Sequence, residues 1–406
     1  MNPVRFAVTV SVFAATFLIR SALHAQEVRA GGAGTIVLRG FVSASFFAQD
    51  ALFGLGNGQK AQFVEDELEE DGWWHGGDAR STRLTLAFAG TEVTGRWRPN
   101  ALAEFDFFGP FASGGNFGDE QPLPRLRLAY GELTNGRTTF RLGQDWSLMW
   151  GNVPVSTSHL GSPLGWGTGG LIGWRFLGAQ LHHTLSRTDA PTTVQLKLGV
   201  FEGSWDEPNT APAGAVPSGD DGPSAGEAGT PQLEARLDVS GRAGAGGTWA
   251  LYVAGHYDRK DLDGAGADLP EIEDLTSWAA EAGARIAPGS FTLQGNAYYG
   301  KAMGHQFGNI IQFRAVEGWG AWAQAGLELT SRWSVWAFAG ADDPDDTDSD
   351  GLPLDRTNSV QLVPMLRYQT GPLALGLEWL HSRTEWSAAP VERTGNQFIL
   401  SALYAF

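Results

Sequence analysis

Few residues in this 406-residue sequence are arranged so that they could carry out covalent chemistry. The compact grouping of a candidate nucleophile with a base is Ser186 with His182 and His183. Neighbouring residues of a strand point to opposite faces, so at most one histidine could serve the serine. No acid stands at the spacing of a third catalytic partner, and the motifs HExxH and GxxxxGK[ST] are absent. The sequence therefore predicts no enzyme, with no catalytic residue, no metal site and no cofactor.

An acidic run is the second group that could do chemistry. Residues 341–351 read ADDPDDTDSDG and contain six aspartates. Carboxylate oxygens suit Ca²⁺, but the run lacks the spacing and the twelfth-position Glu of an EF-hand loop. A solvated acidic extracellular loop is the simpler interpretation. Whether it binds cations stays open.

Composition indicates which elements position such groups. The sequence has 55 glycines, 16 tryptophans and 23 phenylalanines, and 18% of its residues are charged. That profile is typical of many short strands, Gly-rich turns and aromatic belts. The lack of cysteine excludes thiol catalysis and Cys-based zinc sites. A net charge of -17 argues against a nucleic-acid partner and is compatible with acidic loops beside lipopolysaccharide.

The N-terminus has the features of a secretory signal peptide. Residues 6–19 carry no charge and follow Arg5. This run is too short to span a hydrocarbon core, which requires about twenty apolar residues. We expect residues 1–25 to be a signal peptide, cleaved after Ala25, and residues 26–34 to be a short periplasmic segment.

The last nine residues, FILSALYAF, predict a membrane-spanning strand. One face of this strand carries Phe398, Leu400, Ala402, Tyr404 and Phe406. An aromatic residue at each end of an outward apolar face suits the two interfacial girdles of a transmembrane β-barrel. In a soluble protein, a terminal aromatic side chain has little to pack against.

The rest of the chain predicts an all-β fold, a transmembrane antiparallel up-and-down β-barrel of about 16 strands over residues 35–406. The expected strands are 35–48, 80–89, 100–109, 124–134, 137–146, 171–186, 192–202, 231–240, 247–258, 275–286, 290–300, 317–330, 332–341, 357–370, 372–383 and 393–406. Brief turns alternate with long polar loops, which places both termini in the periplasm. A soluble β-sandwich would show the same alternation. It would, however, need neither a signal peptide nor a terminal aromatic strand.

One hairpin gives an expected register. A three-residue turn at residues 134–136 with a G1 bulge pairs Tyr130 with Phe140 and Leu128 with Leu142. Arg127 and Arg141 then point inward. Arg125 is expected to lie opposite Asp145, in a structural salt bridge.

Two stretches resemble a known family. AEFDFFG at 103–109 and RLRLAYGELTNGRTTFRLGQDWS at 125–147, together with the C-terminal strand, are similar to trimeric Gram-negative outer-membrane porins, and most similar to the DcaP-like branch. The resemblance implies a homotrimer that admits small, often anionic solutes. It also implies that the barrel-assembly machinery recognises the C-terminal strand through Phe406 and Tyr404.

The resemblance further implies where the pore is lined. Trimeric porins carry a basic wall and an inward loop after strand five, which would lie here at about 147–170. The expected pore-lining residues are Arg83, Glu104, Asp106, Arg125, Arg127, Arg141 and Asp145. The loop contains no Asp or Glu. By the logic of charged rings in selectivity filters, this favours anions.

The predicted function is an outer-membrane porin for passive diffusion of small hydrophilic solutes through an aqueous channel. Its expected surroundings are outer-membrane lipid and lipopolysaccharide. A substrate-specific outer-membrane channel is one alternative, and a barrel enzyme or adhesin is another. The identity of the solute and the outward face that makes the subunit interface stay open.

Overall fold

The computed structural model describes residues 26–29, 32–54, 56–68, 72–109, 122–202, 229–244, 246–261, 274–308, 315–349, 356–387 and 391–406. The predicted signal peptide, residues 1–25, lies outside these residues. The described strands are β1 (Gln26–Arg29), β2 (Gly34–Gln49), β3 (Ala51–Phe53), β4 (Val64–Glu67), β5 (Trp74–Asp78), β6 (Arg83–Gly90), β7 (Arg98–Asp106), β8 (Arg125–Thr134), β9 (Thr138–Trp146), β10 (Arg175–Thr184), β11 (Thr192–Phe201), β12 (Gly229–Ala243), β13 (Gly247–Asp261), β14 (Asp274–Ala287), β15 (Phe291–Lys301), β16 (Glu317–Glu328), β17 (Trp333–Pro344), β18 (Arg356–Thr370), β19 (Leu373–Trp386) and β20 (Val391–Ala405).

Most of these strands form one closed antiparallel barrel. Both β5 and β6 pair with β2, so they make one barrel strand that is interrupted at residues 79–82. Each strand from β6 to β20 pairs with the next. The barrel closes where β20 returns to β2, with Ala405 opposite Phe41. Within the described residues the barrel therefore has sixteen strands, and the predicted fold class is confirmed.

Three short strands and one helical turn lie outside this count. Strand β1 pairs with residues 35–38 of β2. Strands β3 and β4 pair only with each other in the described sheets. The helical turn α1 spans Asp346–Ser349, and no helix within the described ranges is long and apolar enough to cross a membrane.

The strands alternate between a lipid face and a lumen face. On β19, Leu375 and Leu377 are 38% and 50% exposed, whereas Ala374 before them and Glu378 after them are buried. Strand β20 follows the same rule, with Phe398, Leu400 and Tyr404 outward. The lumen face is rich in Gln, Ser and charged side chains, as expected of an aqueous or loop-filled interior.

A β-bulge at Arg127 changes this alternation. Glu104 on β7 pairs with Leu128, but the next residue, Phe105, pairs with Leu126, so Arg127 has no opposite partner. Arg127 and Leu128 are both 3% exposed. Beyond the bulge the even-numbered residues of β8 face the lumen, because one extra residue shifts the side-chain parity.

The expected register of the β8–β9 hairpin is wrong. Tyr130 pairs with Gly143, not with Phe140, and Leu142 pairs with Gly131, not with Leu128. The turn contains four residues, 135–138, because the Asn135 side chain caps it. Asn135 Oδ1 accepts hydrogen bonds from the backbone N–H groups of Arg137 (3.0 Å) and Thr138 (2.8 Å). This larger turn slides β9 by three positions relative to the expected pairing.

Candidate functional site

Five of the predicted pore residues form one ionic network on β6, β7 and β8. Arg127 lies 2.8 Å from Glu104 and 2.9 Å from Asp106. Arg125 lies 2.7 Å from Asp106, and Arg83 lies 3.7 Å from Glu104. The Asp106 side chain is fully buried. A buried carboxylate requires such paired, hydrogen-bonded cations.

The other two predicted residues lie in a separate cluster. Arg141 is 2.6 Å from Glu132 and 2.5 Å from Asp145, and its guanidinium carbon is 4.0 Å from the centroid of the Tyr130 ring. The expected salt bridge between Arg125 and Asp145 is wrong. The four-residue turn carries Asp145 away from Arg125, whose partner is Asp106 instead. Inward Tyr130 and Glu132 complete the cluster because the bulge at Arg127 turned them to the lumen.

Two cations that the sequence interpretation missed join the first network. Lys60 Nζ and Arg80 Cζ each lie 4.9 Å from the centroid of the Phe108 ring, and Arg125 Cζ lies 5.4 Å from it. Arg80 is also paired with Asp78 at 2.8 Å. Lys60 comes from the stretch between the first two expected strands, which the sequence alone presents as a polar extracellular loop. Arg80 is the first residue of the second expected strand, and it lies where the structure interrupts that barrel strand at residues 79–82.

A third missed cation is Arg175, at the start of β10. Its guanidinium carbon lies 4.2 Å from the Trp174 ring and 5.3 Å from the Trp146 ring. Arg127 lies 5.7 Å from the same Trp146 ring. Arg175 Nε and Nη1 are buried and have no acceptor within the described residues. Cation–π contacts with tryptophan offset part of the cost of burying this charge.

We call this group of side chains the basic cluster. It consists of Lys60, Arg80, Arg83, Arg125, Arg127 and Arg175, with the acids Asp78, Glu104 and Asp106. Among the described residues, cations outnumber acids here by six to three. In a chain of net charge -17, this local excess of positive charge is the opposite of the overall balance.

Residues 147–174, between β9 and β10, form an inner loop inside the barrel. The carboxylate of Glu378 on β19 anchors it, accepting hydrogen bonds from the Ser156 hydroxyl (2.8 Å), the Thr157 hydroxyl (2.8 Å) and the Ser158 backbone N–H (3.0 Å). The Ser158 hydroxyl also lies 2.6 Å from that of Ser401 on β20. Several hydrogen bonds to a single charged acceptor hold the loop strongly.

Further contacts fasten the inner loop along the same side of the barrel. Gln324 on β16 both accepts from the Val155 N–H (2.7 Å) and donates to the Val155 carbonyl (2.8 Å). Gln361 on β18 accepts from the Gly165 N–H at 3.0 Å. The loop is thus attached to four of the last five barrel strands, β16, β18, β19 and β20.

The inner loop also touches the basic cluster. Arg83 Nη2 donates to the Leu160 carbonyl at 2.9 Å. Near this point lies the buried His159 side chain, whose ring nitrogens have no hydrogen-bond partner in the part of the chain that the structure describes. Burial lowers the pKa of His159, and the nearby Glu378 partly opposes this shift.

The structure separates the candidate catalytic residues of the sequence. His183 Nδ1 is 2.9 Å from the Thr138 hydroxyl, and His182 Nε2 is 2.8 Å from Gln180. The Ser186 hydroxyl accepts from the Val194 N–H at 3.1 Å. Each side chain thus has a partner other than the one a nucleophile and base would require.

A different group has the connectivity of a serine triad. His256 lies between Ser277 and Glu234, with both nitrogen–oxygen distances 3.1 Å. Ser277 is 1% exposed and its hydroxyl contacts the sulfur of Met303 at 3.8 Å. A substrate carbonyl cannot reach this hydroxyl, and Glu234 also binds the Gln306 amide of a neighbouring loop at 2.8 Å. The group therefore holds strands and loops together.

The acidic run lies at the β17–α1 junction. Asp345 Oδ1 accepts from the backbone N–H groups of Thr347 (2.9 Å) and Asp348 (3.1 Å), which caps the helical turn. No group of three or more potential metal ligands is found among the described residues, which include 341–349.

The C-terminal residue closes the barrel through its backbone. The Phe406 N–H and carbonyl each form a 3.0 Å hydrogen bond with Gly40 of β2. A Cβ atom at Gly40 would lie 2.2 Å from the Arg83 carbonyl oxygen and 3.2 Å from the Phe406 ring, so glycine permits this approach. Tyr404 is 54% exposed on the outer face.

Comparisons with known proteins agree with this architecture. The outer membrane channel DcaP of Acinetobacter baumannii is similar with a TM-score of 0.67 and 18% identity, over 93% of this chain and 99% of that one. Salmonella typhi OmpF in complex with daunomycin has a TM-score of 0.59 and 12% identity, over 94% and 100% of the two chains. An anion-selective porin from Comamonas acidovorans has a TM-score of 0.54 and 12% identity, over 91% and 99%.

No protein-family model matches the sequence, and no curated protein sequence matches it. The likeness to the solved structures covers nearly the whole length of each chain, so it concerns the complete barrel and not a shared hairpin. The chain therefore has the fold of the outer-membrane porins, a closed antiparallel barrel of sixteen strands.

Proposed function

We propose that this protein is an outer-membrane porin that lets small hydrophilic solutes diffuse passively, with a preference for anions. The observation that carries the proposal is the basic cluster, in which six cations face three acids on the inner side of a closed barrel. No covalent step or energy source is required.

The placement of the inner loop supports a route beside the basic cluster. The loop is bound through Glu378, Gln324 and Gln361 to β19, β16 and β18, none of which carries a member of the basic cluster. A solute would therefore pass between the loop and the strands that carry Arg125 and Arg127. A sixteen-stranded barrel is wide enough for such an aqueous channel.

Charge explains the proposed preference. An anion near this excess of positive charge is stabilised, and a cation is repelled, more strongly than in bulk water because the lumen has a lower effective dielectric constant. One of the similar solved structures is an anion-selective porin. The seven predicted pore residues, together with Lys60, Arg80 and Arg175, are the proposed lining.

The surroundings follow from the same proposal. Residues 1–25 would direct export and be removed, and the barrel would lie in the outer membrane among lipid and lipopolysaccharide. Phe406 and Tyr404 would serve as the signal for the barrel-assembly machinery. The protein would assemble as a homotrimer, as the resemblance to trimeric porins implies.

Planar-bilayer recording tests the proposal. The purified protein should produce stepwise conductance in groups of three, and a salt gradient should give a reversal potential of the sign for anion permeation. Absence of conductance would refute the channel, and a cation-selective reversal potential would refute the preference. Liposome swelling with a panel of neutral and anionic solutes then separates a general porin from a substrate-specific channel.

A further inference from the structure

A second segment lies inside the barrel beside the inner loop. Residues 50–54 and 56–68 belong to what we call the inner hairpin, which contains β3, β4 and a 3-10 turn at Gly58–Lys60. Its Ala51, Gln59, Gln62 and Val64 are all fully buried. The sequence alone predicts that these residues belong to an extracellular loop. Their burial is seen only in the folded barrel.

Hydrogen bonds attach the inner hairpin to the barrel wall. Gln59 Nε2 donates to the Ser45 hydroxyl of β2 at 2.8 Å. The Val64 N–H donates to the Thr384 hydroxyl of β19 at 3.0 Å. Gln397 Nε2 of β20 donates to the Gly58 carbonyl at 3.1 Å. Three strands on both sides of the closing seam thus hold the hairpin.

The inner hairpin is also bound to the inner loop. Gln62 Nε2 donates to the carbonyls of Ser162 (3.2 Å) and Pro163 (3.0 Å). The Gln361 amide reaches Gln62 from β18 and also accepts from Gly165 of the inner loop. One glutamine of the wall therefore joins both segments, so that they narrow the lumen as one unit.

The 3-10 turn carries Lys60 across to the basic cluster. The other residues of the turn are held on β2 and β20, whereas Lys60 Nζ lies over Phe108, beyond the end of β7, with Arg80 and Arg125. Within the described residues the Lys60 ammonium has no hydrogen bond or ion pair. Placing a cation among cations is electrostatically unfavourable, so packing alone does not explain the position of Lys60.

We propose that the inner hairpin is a second constriction element and that Lys60 is its selectivity-determining residue, acting on small anions that pass the basic cluster. The proposal deepens the porin function and rests on it. Lys60 adds a positive charge from the inner hairpin to the charges that the wall strands carry. An anion would then meet positive charge from both the hairpin and the wall.

The environment of Lys60 makes this contribution sensitive to pH. Burial, followed by the charges of Arg125 and Arg80, lowers the pKa of Lys60 below its usual 10.5, while Asp106 and Asp78 oppose the shift. Lys60 therefore loses its charge at a lower pH than an exposed lysine does.

The first test is charge reversal with a matched control. In planar bilayers, Lys60→Glu should lower the anion-to-cation permeability ratio by about threefold or more, since two units of charge change beside the route. Lys301→Glu makes the same change at the end of β15, away from the cluster, and should have a clearly smaller effect. Equal effects of the two variants would overturn the role of Lys60.

The second test uses pH and separates this inference from the porin function. The anion preference of the wild type should decline with rising pH, beginning below pH 10.5, whereas Lys60→Arg should hold its preference. If the wild type conducts and prefers anions but Lys60→Glu has the same reversal potential, the inference about Lys60 is overturned and the porin function is not. A wild type without conductance would overturn the porin function.

The third test asks whether the inner hairpin obstructs the channel. Gln59→Ala removes the bond to Ser45 and leaves every charge in place, so single-channel conductance should rise and become noisier. Heat-modifiable migration on gels checks that each variant forms a closed barrel. Unchanged conductance in a correctly folded Gln59→Ala protein would contradict a second constriction.

Discussion

The carboxylate of Glu378 lies 2.8 Å from the hydroxyl of Ser156, although 222 positions separate the two residues in the sequence. This pair joins the wall on β19 to the middle of the inner loop. Thr157 and Ser158 bind the same carboxylate. A single side chain therefore determines where the loop crosses the lumen.

Glu378→Ala should release the loop. Each hydrogen bond to a charged group contributes about 1.5–3 kcal/mol, so losing several of them should lower the free energy of unfolding by about 3 kcal/mol or more. Single-channel conductance should increase and flicker. Glu378→Gln retains one acceptor oxygen and should fall between the alanine variant and the wild type. Denaturant unfolding and bilayer recording measure the two effects, and a wild-type conductance in Glu378→Ala would contradict the anchoring role.

Acid should loosen the same loop through His159. Because its folded-state pKa is lowered below the usual 6.5, His159 is neutral in both states above that pH and has no effect on stability there. As the pH falls below 6.5, the released or unfolded form gains the proton first, so stability is lost. His159→Asn should remove this part of the pH dependence. An unaltered pH profile in His159→Asn would contradict the role of the histidine.

Arg127→Ala should reduce both stability and anion preference. Removing it leaves Glu104 and Asp106 with fewer cations, at a cost of about 3 kcal/mol for a buried pair. Arg141→Ala is the control, since it breaks the second cluster, which contains Glu132, Asp145 and Tyr130. Both variants should be less stable in denaturant, but Arg127→Ala should change the reversal potential more. An equal change in both would show that selectivity is spread over the whole lumen.

Deletion of Phe406 should impair assembly without altering the pore. The residue forms two backbone hydrogen bonds with Gly40 at the closing seam, whereas the charges of the basic cluster come from other strands. The amount of folded barrel in outer-membrane fractions should fall severalfold. The channels that do form should have wild-type conductance and selectivity. Normal amounts of folded protein would contradict the assembly role of this residue.

The sequence predicts the barrel well because strand formation depends on local alternation. On β20 the outward Phe398, Leu400 and Tyr404 are visible in the sequence as one parity. The expected strand positions agree with the structure apart from their ends and the interruption at 79–82.

Features that depend on non-local contacts were not predictable in this way. The side-chain parity of β8 changes at Arg127 without a glycine or proline to mark it, which misplaced Tyr130. Lys60 lies in a polar stretch whose folding into the lumen depends on partners such as Ser162 and Thr384. Arg80 lies where a barrel strand is interrupted. The contact between Glu378 and the inner loop could not be predicted for the same reason, because hydrophobic periodicity carries no information about loops.

The bulge at Arg127 has a consequence for how such a pore can change. A regular strand offers every second residue to the lumen, but here the wall has gained one inward position without lengthening either neighbour. A chain lacking Arg127 altogether would return to strict alternation, with Arg125, Leu128, Tyr130 and Glu132 still inward. A single-codon insertion or deletion could therefore add or remove Arg127, the central cation of the basic cluster, while the surrounding strands keep their register.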